Sequence, residues 1–357
     1  MPDEVSADAP GRVNLIGEHT DYHEGYVLPT VIPQRTRARI SKRADRLVRA
    51  SSSSLDRGWE EYEAGRETPG RGWLDYVQGV TATLARNGVS VPGFDVLIDS
   101  SIPLGAGVSS SAALDVSLLR ALRLLLNLEL DDLRLAQMAQ SVETDFVGAP
   151  VGIMDPMASS LGRDGEALFI DTRSLAVERV PLPASIEIVV IHSGVTHAHA
   201  GGEYVARRRE SFEAAQRLGV SRLRDVDSTM IPRIEALPGV LARRARHVVT
   251  ENARVLAATA ALRTGDAERL GALLNESHVS MRDDYETSTS DIDVLVDIAQ
   301  RNPAVHGARL TGGGFGGSIV ALVRATLARR AAEEISAEYR RLTGRSPVVL
   351  VPTQVNT

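Results

Sequence analysis

The segment PLGAGVSSS at residues 103–111 constrains the fold more than any other stretch of this chain. It follows FDVLI at 94–98, which alternates with the period of a strand. It runs directly into residues 112–126, where Leu114, Leu118, Leu122 and Leu125 recur at helical intervals. A strand, a glycine turn and a helix in immediate succession make an anion-site geometry. Gly105 and Gly107 let the backbone approach phosphate oxygens, the first helical turn leaves N–H groups unpaired, and the helix dipole favours negative charge there. Ser109, Ser110 and Ser111 add hydroxyl donors or a metal ligand. No Gly-Lys-Ser/Thr ending follows, so this is not a Walker A loop, and the third glycine of a dinucleotide fingerprint is missing. On local sequence alone, an ordinary glycine turn with a serine N-cap is an equal reading. A second loop, GGGFGG at 312–317, is read between a helix and a strand. Its five glycines in six residues mark either a tight connection or close approach of a ligand to the backbone.

Near the N-terminus, GRVNLIGEHTDY at 11–22 sets Arg12, Asn14, Glu18, His19 and Asp21 in an extended segment that ends in a loop. Carboxylates and an imidazole at fixed offsets can read the hydroxyls of a polyhydroxylated ligand, and such a cluster can also simply knit a loop together. Asp155, followed by Pro156, reads as a helix N-cap with proline at the first helical position, which favours the carboxylate as an anion. Tyr204 in GGEYVARRRE precedes a helix and reads either as a ligand contact or as a core tyrosine.

Elsewhere, residues 36–40 alternate like a half-exposed strand, 73–86 and 131–143 have helical spacing, and 166–170 with 176–180 read as paired strands. Pro181 and Pro183 precede a strand at 186–191, which places a domain boundary between 1–182 and 183–357. The arginine runs at 207–209 and 243–246 read as solvated helix faces. His192, His197 and His199 lack the spacing of a zinc site and read as loop or core residues.

Composition narrows the class. A chain of 357 residues suits about two domains, and 43% hydrophobic with 24% charged residues describes a globular protein. A net charge of −6 gives no general attraction to nucleic acid or an anionic membrane. The absence of cysteine excludes disulfides, thiolate catalysis and cysteine metal sites. No run approaches the about 18 apolar residues of a membrane span and no leader-like apolar stretch opens the chain, so a cytoplasmic enzyme is expected.

Taken together, GRVNLIGEHTDYHEGYVLP, PLGAGVSSSAAL, GIMD, GGEY and RLTGGGFGGS resemble the galactokinases of the GHMP small-molecule kinase superfamily, from about residue 7 to about residue 323. The resemblance implies an α+β, two-domain GHMP kinase fold. An N-terminal ribosomal-protein-S5-like domain and a C-terminal ferredoxin-like domain would have the active site in the cleft between them. It also implies transfer of the ATP γ-phosphoryl group to the C1 hydroxyl of α-D-galactose in galactose catabolism; a monomer or weak homo-oligomer is expected. By similarity, Arg12 and Asp155 flank the reacting hydroxyl, while Glu18, His19, Asp21, Gly152 and Tyr204 hold the sugar. Gly105, Ala106, Gly107, Val108, Ser109, Ser110 and Ser111 carry the nucleotide phosphates. Ser111 and Glu143 match the positions that hold Mg²⁺, and Trp73 with Tyr76 matches a region lining the adenine pocket. Asp155 is either a general base or, with Arg12, an orienting and charge-stabilising group. His23 stands where asparagine is usual, Val151 replaces cysteine, and Pro156 and Met157 replace glutamine and an aromatic residue; the imidazole of His23 bears on sugar preference. A sister sugar kinase and a non-catalytic sugar sensor are the rival readings, and the complete serine loop favours catalysis.

Overall fold

Residues 36–40 show how the first sheet is built. Thr36, Ala38 and Ile40 are buried while Arg37 and Arg39 are exposed, the period of two that pins a strand between a core and solvent. The structure, a computed structural model, describes residues 3–55, 57–196 and 200–352. Contacts divide the chain into two units, neither continuous in sequence.

The first unit comprises Met1–Arg12, Val31–Leu104 and Ser109–Gly162. Within it the strand Pro29–Lys42, from Val31 onward, pairs antiparallel with Phe94–Ser100, running from Thr36 opposite Ser100 to Lys42 opposite Phe94. Leu47–Ser52 lies parallel to Phe94–Ser100 on its other side and antiparallel to Glu60–Glu63. The N-terminal strand Glu4–Asn14 pairs with Pro29–Lys42. Four helices pack in the same unit: Leu74–Arg86, Ser110–Leu126, Asp132–Ser141 and Met154–Leu161. Ala112, Val116, Leu119 and Leu122 of the second are buried, so a helix nearly apolar all round is used as a core element. The helical pattern read over 131–143 ends as an α-helix at Ser141 and continues as a π-helical turn, Val142–Val147, which carries Glu143. Such wider turns re-aim side chains, and they recur at functional sites.

The second unit comprises Val13–Thr30, Gly105–Val108 and Arg163–Thr357. Glu166–Asp171 and Ala176–Pro181 form the expected antiparallel pair, extended by Tyr26–Val27. A four-stranded antiparallel sheet is ordered Val305–Thr311, Gly316–Arg324, Ile186–Thr196, Val348–Val351. Ser290–Arg301 and Ala328–Thr343 pack on this sheet, burying Ile292, Leu295, Ile335 and Tyr339 with Val189, Ile191, Leu310 and Ile319. Gly239–Thr264 packs against Ala200–Leu218 and Ala267–Asp283.

Three local expectations are corrected. The glycine loop at 312–317 joins two paired strands, not a helix and a strand, because ARLT at 308–311 alternates around Arg309, which is buried and ion-paired and so occupies a core position. Tyr204 lies inside the helix Ala200–Leu218, not before it. The arginine runs are only partly solvated: Arg209 is exposed, but Arg244 is buried, bonded to Glu210, Glu286 and the Asp284 carbonyl, and Arg207 donates to the carbonyls of Tyr285 and Glu286. Guanidinium forks tie a helix to a loop here, which local charge patterning does not distinguish from solvated charge. His192 is half-buried in a strand and its Nδ1 accepts from the Gly194 amide, while His197 and His199 lie outside the described residues. Among the described residues no helix is long and apolar enough to cross a membrane.

Candidate active site

In the first unit, Arg12 is carried by the strand Glu4–Asn14 and is only 4% exposed. Its Nε donates to Asp155 Oδ1 at 2.7 Å and its Nη2 to Oδ2 at 2.5 Å, a fork-to-fork pair with both charges matched. Ser109 Oγ donates to Asp155 Oδ2 at 2.5 Å. Asp155 is therefore not the N-cap that the Asp-Pro sequence suggests. The helix Met154–Leu161 begins one residue earlier with Ile153 at the cap, and Pro156 takes the third helical position, where its missing N–H costs no intrahelical bond. Two charge-assisted bonds to a guanidinium outweigh one to a backbone amide. Ser109, likewise expected as a cap, makes no capping bond. It sits at φ 63°, ψ 48°, a left-handed conformation that turns its hydroxyl to Asp155.

Ser111 Oγ lies 3.2 Å from each carboxyl oxygen of Glu143. Burial and the nearby Asp155 charge push the Glu143 carboxyl up to about 7, against the pull of Ser111 and Arg12. A hydroxyl and a carboxylate are hard oxygen donors of the kind Mg²⁺ takes alongside phosphate and water oxygens, so the residues present fit that ion. Among the described residues no group of three or more His, Asp or Glu could enclose a metal ion, so the fit depends on oxygens from a bound nucleotide and from water. Trp73 caps the helix Leu74–Arg86 and donates from Nε1 to Glu60. With Tyr76, Leu55, Leu104 and Leu114 it lines a mainly apolar cleft that Ser110 and Ser111 also reach. An apolar cleft beside a helix N-terminus suits a base attached to phosphates. Gly152 is buried in the loop before Asp155.

In the second unit the sugar-type loop is tied down by Arg309, a residue local reading missed. Arg309 is fully buried and donates to Glu18 Oε2 at 2.6 Å. Glu18 also accepts from Asn14 Nδ2 at 2.7 Å and from the Gly312 amide at 2.8 Å. Burial pushes the Glu18 carboxyl up, and Arg309 and the Gly312 amide act against that rise. His19, at φ 63°, meets the tilted rings of Tyr285 at 4.6 Å and Tyr204 at 5.4 Å, and its Nδ1 is 2.9 Å from the Tyr22 hydroxyl. Burial lowers the His19 imidazole to about 3, which keeps it neutral. Asp21 opens the short turn Asp21–His23 and accepts from the Tyr22 amide.

The two glycine loops meet in this unit. The Gly107 carbonyl would lie 2.8 Å from a Cβ placed on Gly312, and Ser318 Oγ donates to the Ala106 carbonyl at 2.7 Å. Gly313 faces the Tyr204 ring, which a Cβ there would touch at 3.4 Å. Glu18, His19, Tyr204, Gly105, Ala106, Gly107 and Val108 thus belong to one unit, whereas Arg12, Asp155, Ser109, Ser110, Ser111, Glu143, Trp73 and Gly152 belong to the other.

Comparison with known proteins puts this arrangement in a class. The galactokinase galactose-binding signature matches residues 2–42, the GHMP kinases N terminal domain 75–163, and the GHMP kinases C terminal domain 258–341. The two paired domain models and the two sheets define a GHMP kinase fold. A galactokinase from Chloroflexus aggregans is 43% identical over 97% of this chain and 91% of its own length. The crystal structure of Lactococcus lactis galactokinase complexed with galactose superposes with a TM-score of 0.92 at 33% identity, over 97% of this chain and 92% of that one. Mevalonate kinase from Methanococcus jannaschii, at 18% identity and a TM-score of 0.67 over 97% of this chain and 96% of its own, shares the fold alone. The chain belongs to the galactokinase family.

Proposed function

We propose that this protein transfers the γ-phosphoryl group of ATP to the C1 hydroxyl of α-D-galactose, releasing ADP and galactose 1-phosphate. The observation that carries the reading is the Arg12, Asp155, Ser109 constellation, set at the entry of the phosphate-loop helix in a chain whose relatives are galactokinases. Phosphoryl transfer needs positioning and charge neutralisation more than covalent participation. The Arg12 and Ser109 bonds occupy three of the about four acceptor sites of the Asp155 carboxylate, one on Oδ1 and two on Oδ2, so Oδ1 can take the sugar proton with these bonds in place. The Ser109 hydroxyl can also rotate to a nucleotide oxygen, which frees Oδ2 further while Arg12 keeps its two bonds. Arg12 then holds the carboxylate in place and offers positive charge to the reacting oxygens.

In this reading Glu18, His19, Asp21, Gly152 and Tyr204 hold the sugar, with Glu18 itself braced by Arg309 and the Gly312 amide. The amides of Gly105, Ala106, Gly107 and Val108 and the hydroxyls of Ser110 and Ser111 receive phosphate oxygens. Trp73 and Tyr76 hold the base. Mg²⁺, held by Ser111 and Glu143, supplies charge neutralisation on the β- and γ-phosphates when bound. We take the protein to work in the cytoplasm as a monomer or weak homo-oligomer.

Asp155→Asn and Arg12→Ala are expected to lower kcat by a factor of about 10² or more while changing the galactose KM much less, the pattern of an interaction made in the transition state. Near-normal kcat in both variants would remove the assignment. An ADP-release assay across galactose, N-acetylgalactosamine, L-arabinose and glucose completes the test: turnover of another sugar in preference to galactose overturns the substrate, and no turnover of any sugar favours a sensor.

A further inference from the structure

The helix Ser110–Leu126 carries a carboxyl that nothing in the proposed reaction uses. Asp115 follows the apolar Ala112, Ala113 and Leu114, has no exposed surface, and neither of its carboxyl oxygens has a hydrogen-bond partner. Buried polar side chains are normally satisfied, and one left open in a packed helix calls for a reason. Asp115 lies one turn beyond Ser111, so the two share a helix face. Ser111 in turn holds Glu143 through both carboxyl oxygens. Burial pushes the Asp115 carboxyl well above its usual range, Glu143 adds to the rise, and the Tyr76 phenol is raised by both carboxyls after its own burial. Asp115, Glu143 and Tyr76 are therefore near enough to interact electrostatically. A purely structural aspartate would cap a helix, bind an amide or pair with a cation. Asp115 does none of these, although its neighbours Leu114 and Val116 are apolar.

We propose that Asp115 is an outer-shell acceptor for water bound to the divalent cation at Ser111 and Glu143, an inference that rests on the assignment of those two residues to the cation. Mg²⁺ sheds water reluctantly and keeps several bound molecules, each a polarised donor in need of an acceptor. Glu143 and Ser111 satisfy each other when no ion is present, whereas both Asp115 carboxyl oxygens are left without a partner, and a nearby cation favours their ionised, accepting form. Its place in the chain is then explained by function at the expense of the metal-free fold. Asp115 is a positioning residue: it orients the ion through water and touches neither the sugar nor the transferred group.

The test measures Mn²⁺ binding by electron paramagnetic resonance, with ADP present, in the unaltered protein and in Asp115→Asn, Asp115→Leu and Glu143→Gln, alongside metal-free melting. Outer-shell partners typically govern metal affinity by 10- to 100-fold, so Asp115→Asn is expected to weaken Mn²⁺ binding by about tenfold or more. Because the wild-type carboxyl has no partner to lose, metal-free Tm should be unchanged in Asp115→Asn and unchanged or raised in Asp115→Leu. Undiminished Mn²⁺ affinity in Asp115→Asn, or a drop in metal-free Tm of both variants large enough to account for weaker binding, overturns the proposal. Failure of the underlying reading looks different: Glu143→Gln would then bind Mn²⁺ as tightly as the unaltered protein.

Discussion

His23 occupies the position where asparagine is usual beside the sugar loop, and its surroundings define what it does. The Leu223 amide donates to Nδ1 at 3.4 Å, so Nε2 carries the proton and donates to Ser211 Oγ at 2.8 Å, while the Ser211 hydroxyl donates in turn to the Arg208 carbonyl. The ring stacks on Phe212 at 4.4 Å. Burial first, then the charges of Arg222 and Arg208, lower its imidazole to about 3. His23 is thus a neutral bracing residue, and its known contacts are to the helix Ala200–Leu218 and the turn at Leu223. The sign of its pH effect follows from linkage. Below about pH 6.5 the unfolded chain binds a proton at this position that the native state refuses, so the contribution of His23 is complete above 6.5 and is lost as pH falls toward 3. Stability of the unaltered protein relative to His23→Asn should therefore fall with decreasing pH, approaching about 1.4 kcal/mol per unit below 6.5. Urea unfolding of both proteins at pH 7.5, 6.5 and 5.5 reads this directly. A gap that stays constant with pH would mean that the ring is charged or exposed in the native state.

At the scale of elements, the loop at 312–317 shows why its glycines matter. Gly314 has φ +87°, and a Cβ there would come within 2.5 Å of the Thr287 carbonyl, the same oxygen that accepts from the Phe315 amide at 2.7 Å. Gly88, by contrast, has φ +80° with open space around it. Gly88→Ala is expected to cost about 1 kcal/mol, the strain of a left-handed alanine, and Gly314→Ala about 2 to 3 kcal/mol or more because a backbone oxygen must also move. Equal losses in chemical unfolding would show that the contact with Thr287 relaxes freely. The same loop marks the boundary of what could be read in advance. Its glycine density signalled close approach, and the strands and helices around residues 36–40, 73–86, 94–98 and 166–180 followed from simple periodicity. Its flanks were misread because Arg309 interrupts an apolar strand pattern with a charge, and the carboxylates that explain it, Glu18 foremost, lie far away in sequence, Glu18 by 291 positions. Asp155 failed as a cap for the same reason, its partner Arg12 lying 143 positions upstream. Local pattern registers spacing and turn chemistry, whereas the partner of a buried charge is set by tertiary structure. Asp115 left a local trace, a lone carboxylate in an apolar helix, that goes unnoticed beside the serines preceding it.

At the scale of the whole molecule, the residues assigned to the two substrates are distributed unequally between the two units. Glu18, His19, Asp21 and Tyr204 belong to the unit that also holds the glycine loops at 105–108 and 312–317, whereas Trp73, Tyr76, Ser111 and Glu143 belong to the other. Arg12 and Asn14 lie on one strand, Arg12 counted with the first unit and Asn14 with the second. A ligand that binds only the native state opposes every local opening that must release it, by about 2.7 kcal/mol when present at 100 times its Kd. Hydrogen exchange followed peptide by peptide should therefore separate the substrates. Galactose alone is expected to slow exchange at residues 17–22 and 311–314, and at 152–155 around the reacting hydroxyl, by up to about 100-fold. A non-hydrolysable ATP analogue alone should instead slow the start of the helix Leu74–Arg86 and the first turn of Ser110–Leu126. The reasoning rests on where each ligand removes an opening, so the two protection maps must differ. Galactose protecting residues 73–86 while leaving 17–22 unchanged would show that the sugar and nucleotide assignments are interchanged. Identical maps for the two ligands would show that a single opening of the whole chain, common to both units, governs exchange.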